Sequence, residues 1–107
     1  MTDMKDREEG FEAHFAHDQA LEFKAAARRN RLLGAWAGEL LGLSGADLEA
    51  YELTVIRSDL KEVGDEDVFA KVVADLAEKG VNVLPSDVRA KMDELYQAAL
   101  VHLKTVG

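Results

Sequence analysis

The chain has 107 residues, the length of a single domain, and its 48% hydrophobic and 32% charged residues fit a core with a well-solvated exterior. A formal net charge of −8 argues against a general coat for nucleic acid or an anionic membrane, because like charges repel at long range. Cysteine is absent, which excludes disulfides and thiolate metal sites and leaves the redox compartment open.

The opening "MTDMKDREEG" is acidic and has no apolar run, so it reads as neither a secretory signal nor an Arg-rich transit segment. Residues 1–18 carry six acids (Asp3, Asp6, Glu8, Glu9, Glu12, Asp18) and two basic residues (Lys5, Arg7). On a helical wheel at about 100° per residue, Phe11 and Phe15 project in line with Leu33, Trp36 and Leu40. Between these clusters the same face holds Asp18, Glu22, Ala25, Ala26 and Arg29, which supply no continuous large apolar seam. The reading is a flexible N-terminal arm, residues 1–18, followed by a bundle, residues 19–107. A segment of fewer than about 15 residues is marginal as an isolated helix but orders readily in a partner's groove. Phe23, beyond the charged break, is assigned to the bundle.

The first helix of the bundle is expected from about Ala20 to Leu41, with Leu32, Leu33, Trp36 and Leu40 on its core side and "GLSG" closing it. Its most apolar window, Leu32 to Leu43, spans twelve residues against the roughly 20 needed to cross a bilayer, so no direct membrane insertion is expected. The second helix opens with Ser44 as cap, presents Leu48, Tyr51, Val55, Ile56, Leu60 and Val63, and ends at Gly64. The third starts in "DEDV", whose acids suit a helix N-terminus, carries Val68, Phe69, Val72, Val73 and Leu76, and stops at Gly80. The fourth is expected after Pro85 with Ser86 as cap, and its stripe is Val88, Met92, Leu95, Tyr96, Ala99, Leu103 and Val106. Short links between four such elements predict an all-α, four-helix bundle.

Several residues invite a chemical reading. Phe11 and Phe15, four apart, suit anchoring in a protein partner, or alternatively capping of the bundle. His14 and His17 with Asp18 share a helix face, but two histidines and one carboxylate without a further ligand make no metal site; a pH-sensitive contact is the other reading. "KAAARRNR" gathers Lys24, Arg28, Arg29 and Arg31 where no acid occurs from residue 23 to 38, which suits a phosphate or an acidic partner surface, or pairing with the acidic second and third helices. Gly34, Gly38 and Gly42 recur every four residues, and a close approach by another helix would account for the mid-helix glycines. No Walker loop, nucleophile elbow, H-E-x-x-H or EF-hand loop occurs, so no catalytic residue is assigned and no enzyme is expected.

Taken together, "FAHD", "ARRNRLLG", "WAGELLG" and "GDEDV" make the whole chain resemble the zeta subunit of alphaproteobacterial F1Fo-ATP synthases. The resemblance implies a four-helix bundle whose N-terminal arm is the inhibitory element. It implies that the arm inserts at an α/β catalytic interface, becomes helical against the α, β and γ subunits of F1-ATPase, and blocks rotation in the hydrolysis direction. Carried onto matching positions, the arm contacts would be Arg7, Glu8, Phe11, Phe15 and Asp18. The resemblance places the protein in the cytoplasm, at the cytoplasmic face of the inner membrane when bound; a monomer is expected when free, with no cofactor, and the net charge argues against a nucleic-acid partner. The alternative is a small helical scaffolding or nucleotide-sensing module, with weak adenine-nucleotide binding at Lys24 to Arg31.

Overall fold

A computed structural model describes residues 3–59 and 64–106, with side chains for 19–59 and 64–105. Four helices follow one another: α1 (Asp3–Leu40), α2 (Gly45–Ser58), α3 (Glu66–Glu78) and α4 (Pro85–Val106). The all-α bundle expected from the sequence is present. Helix α1 packs most extensively on α2 and α4, and α3 touches the other three to close the bundle.

Helix α1 begins well ahead of the Ala20 start expected for the bundle's first helix. The upstream residues are mostly good helix formers and include no proline to interrupt the hydrogen-bond ladder. Backbone continuity therefore crosses the expected boundary at residue 18. Glu22, Phe23 and Lys24 are exposed, and Ala25 is the first fully buried residue among those whose side chains are described.

The closing turn of α1 shows why "GLSG" stops it. Gly42 has φ +84°, the left-handed region that glycine enters without a Cβ penalty. Its N–H donates to the Glu39 carbonyl at 3.0 Å and the Leu43 N–H to the Gly38 carbonyl at 2.9 Å, a Schellman arrangement that satisfies two orphan carbonyls. The same pattern recurs at Gly80, where Val81 N–H reaches the Leu76 carbonyl at 2.9 Å. Both glycine stops were legible.

The caps are less literal. Ser44 takes the extended conformation of an N-cap, but its hydroxyl makes no capping hydrogen bond. Ser86 is not a cap, because α4 already starts at Pro85, where a residue without N–H costs the helix nothing. Asp87 reaches back instead and accepts from the Leu84 N–H at 3.1 Å, half of a capping box. Helix α2 ends at Ser58, short of the expected Val63, and residues 60–63, with Leu60 and Val63, lie outside the described residues.

The core comprises Leu33, Ala37, Val55, Val68, Val72, Leu76, Val88 and Met92, with Trp36, Tyr51, Phe69 and Leu95 among those packed around it. All eight core residues lie downstream of Ala25. One stripe assignment needs correction. Leu40, in the last turn of α1, is 41% exposed, and the smaller Ala37 takes the core position. Phe23, assigned to the bundle, is 78% exposed.

The glycine spacing is explained by α2. A Cβ on Gly34 would stand 2.9 Å from the Glu52 Cα, and one on Gly38 would run into the Leu48 side chain. Two backbones thus approach where α1 carries no side chain, and the entropic cost of mid-helix glycine is offset by that contact. Gly42 belongs to the stop and not to this seam.

Candidate functional site

The sequence places its candidate partner contacts on the arm. Arg7, Glu8, Phe11, Phe15 and Asp18, together with His14 and His17, have side chains outside the described residues, while the backbone there belongs to α1. The described part of the site is the region where α1 leaves the bundle, and a polar network of the bundle lies beside it.

Arg29 is 6% exposed and Asn30 is buried. The Arg29 Nε donates to Asn30 Oδ1 at 3.0 Å, and Asn30 Nδ2 donates to Asp59 Oδ2 at 2.9 Å. The Arg29 guanidinium pairs with Asp65 at 3.5 Å and lies 5.7 Å from the Tyr96 ring centroid. Asp65 in turn receives Arg89 at 2.9 Å, and Arg89 also reaches Glu66 at 3.1 Å and stacks 4.4 Å over Phe69. The hydrogen bond to Asp65 raises the Arg89 pKa above its already high ordinary value, so this cation is permanent. Asp59 and Asp65 flank the stretch between α2 and α3, so α1 holds both of its ends through neighbouring residues 29 and 30. A buried guanidinium is tolerable only when its charge is met, and here Asp65 pairs with it while Nε bonds to Asn30.

This splits the basic window. Lys24, Arg28 and Arg31 are exposed, at the spacing of one outward helix face, and Arg31 approaches Glu52 at 3.6 Å while 73% exposed. Arg29 points inward and is spent on the bundle, as the pairing alternative anticipates, so it is withdrawn from the expected anion contact. Only Lys24, Arg28 and Arg31 remain outward-facing.

The other clustered polar groups are structural as well. Tyr51 Oη donates to Asp75 Oδ2 at 2.8 Å, Lys71 Nζ donates to the same oxygen at 3.0 Å, and Lys71 sits 5.3 Å from the Tyr51 ring centroid. Burial, then the neighbouring Asp75, pushes the Tyr51 phenol well above its ordinary pKa, opposite to what a phenolate nucleophile requires. Among the described residues no group of three or more histidines and carboxylates is placed to hold a metal, and no helix is long and apolar enough to cross a membrane.

Beside the α1 exit lies an open groove of about 780 Å³. Phe23 and Ala26 of α1 and Tyr96 of α4 give it an apolar lining, and Glu22, Asp59 and Asp93 are among the acids along it. Sequence reading missed this groove, and it missed the Asn30 link between helices. One signal for the network was available: an Arg–Asn pair within an alanine-rich helix that has no acid of its own nearby.

Comparison with known proteins gives a specific result. A family model described as ATPase inhibitor subunit zeta matches residues 1–101. A protein chain solved by solution NMR is similar, with 41% identity and a TM-score of 0.70, over 81% of this chain and 99% of that one. No curated protein matches.

Proposed function

The chain belongs to the ATPase inhibitor subunit zeta family, and from that premise we propose that residues 1–18 are its working part, inserted at an α/β catalytic interface of F1-ATPase beside γ so that rotation in the hydrolysis direction is blocked. Membership carries an inhibitory role toward F1-ATPase and not a catalytic one. The arm is the reading's own addition.

The observation that supports it is the position of the core. Among the residues whose side chains are described, the main core cluster begins at Leu33 and the first fully buried side chain is Ala25, while the backbone of α1 extends upstream to Asp3. Seen this way, the bundle is a handle, and α1 carries the arm away from it. Phe11 and Phe15 fill an apolar cleft of the partner, and Arg7, Glu8 and Asp18 fix the register along it, since buried aromatics dominate interface energy and charges select orientation. The protein acts from the cytoplasmic face of the inner membrane, where the catalytic head of the synthase stands.

The test is an inhibition titration of cognate F1 with a Phe11→Ala/Phe15→Ala variant. Loss of two aromatic anchors raises the half-inhibitory concentration by about tenfold or more while thermal unfolding of the bundle is unchanged. Unaltered inhibition would remove these residues from the mechanism.

A further inference from the structure

Phe23 is the one aromatic side chain among the described residues left largely exposed, and its surroundings say what it is for. It lines an open groove together with Ala26 and the half-buried Tyr96. The charges lining the groove are the carboxylates of Glu22, Asp59, Asp65 and Asp93 against the single guanidinium of Arg29, which is already paired with Asp65. A surface of this kind combines an apolar lining with an excess of carboxylates.

The groove is also in register with the arm. Counting about 100° per residue along the continuous helix α1, position 22 falls about 20° to one side of position 15, position 26 about 20° to the other, and position 23 about 80° away. The face that carries Phe11 and Phe15 in the sequence therefore runs directly into the groove-lining face, so a partner that covers the arm on this side meets the groove next.

Resting on the reading of the arm as the inhibitory element, we infer that this groove is a second contact for the same F1 partner and receives a basic segment of it that presents an apolar side chain to Phe23 and Tyr96. The occupant is specified by complementarity: lysine or arginine against Glu22 and Asp93, both exposed, and an apolar group against the aromatic lining. The arm supplies the block, and the groove lengthens the stay of the bundle on the enzyme.

The full-length chain carries the test. Inhibition of cognate F1 hydrolysis is titrated for wild type, Phe23→Asp, Glu22→Gln/Asp93→Asn and the Phe11→Ala/Phe15→Ala variant, at low and at high salt, with sedimentation to follow self-association. Phe23→Asp raises the half-inhibitory concentration at least fivefold with thermal unfolding unchanged. Glu22→Gln/Asp93→Asn raises it at low salt and flattens its salt dependence. If these variants inhibit like wild type while the Phe11/Phe15 variant is impaired, the groove contact is wrong and the arm reading stands. If all variants inhibit like wild type, the arm reading fails and this inference fails with it. A wild-type dimer that Phe23→Asp converts to monomer with inhibition unaltered would make the groove a contact between copies of this chain, and would overturn the inference.

Discussion

Residues 25–38 and residues 19–24 share one helix, yet they meet different surroundings. The first stretch is pressed on two sides: α2 approaches over Gly34 and Gly38, and Ala25, Arg29, Leu33 and Ala37 are buried in the bundle. The second has Leu21 half-buried and Glu22, Phe23 and Lys24 exposed, among them a phenylalanine that a bundle alone gives no reason to keep. Helix formation is a local matter of propensity and hydrogen bonds, whereas burial needs a neighbour on the same side, and Phe23 faces an open groove. The same secondary structure thus serves as core along one stretch and as the lining of an open groove along the other.

Substitutions should separate the two halves by stability. Leu33→Ala removes a fully buried side chain from the centre of the core and should cost about 3 kcal/mol in urea denaturation, a large part of a small domain's total. Gly34→Val should cost about 2 kcal/mol, because the clash falls on the Glu52 backbone and the helices must part. Gly38→Ala makes a sharper probe of the same seam. Its clash is with the movable end of Leu48, and alanine restores up to about 1 kcal/mol of helix propensity, so the net change should be near zero.

Tyr51→Phe should cost about 1 kcal/mol at neutral pH through loss of the hydrogen bond to Asp75. Its pH dependence has a fixed sign. Burial and Asp75 raise the phenol pKa in the folded state above the ordinary value of 10.0, so the contribution of the neutral phenol is complete below about pH 10 and is lost as pH rises from there toward the folded-state value. Thermal scans from pH 8 to 11 should show the wild type losing stability more steeply than Tyr51→Phe above pH 10. At the far end of the scale, Phe23→Ala should change stability by less than about 0.5 kcal/mol, since the ring is largely out of the core.

What was legible follows from the range of each signal. The glycine stops at Gly42 and Gly80, the stripe of α3 and that of α4 through Leu103 depend on near neighbours and appear where the sequence placed them, while the Val106 side chain lies outside the described residues. The displacement of Leu40 by Ala37 was hidden, because a stripe read from one helix favours large side chains, while the α2 contact through glycine sets which face is covered. Arg29 reads with its basic neighbours either as an anion contact or as a partner for the acidic second and third helices, and the sequence does not choose between them. Its burial depends on Asp65, which lies on another element and was invisible to a reading of α1 alone. Phe23 could be placed with the bundle from the sequence, but its exposure could not: only the packing of α1 against α4 shows that it lines an open groove with Tyr96 and Ala26. The arm contacts came from family resemblance joined to wheel geometry, since no local rule assigns Phe11 or Phe15 a partner.

The most direct measurement compares full-length protein with residues 19–107 in parallel, recording ATP hydrolysis by cognate F1 and thermal unfolding of each inhibitor form. Loss of inhibition by the shortened chain with its unfolding transition retained is the predicted result. Inhibition undiminished by the deletion would contradict the account and move the inhibitory surface into the bundle.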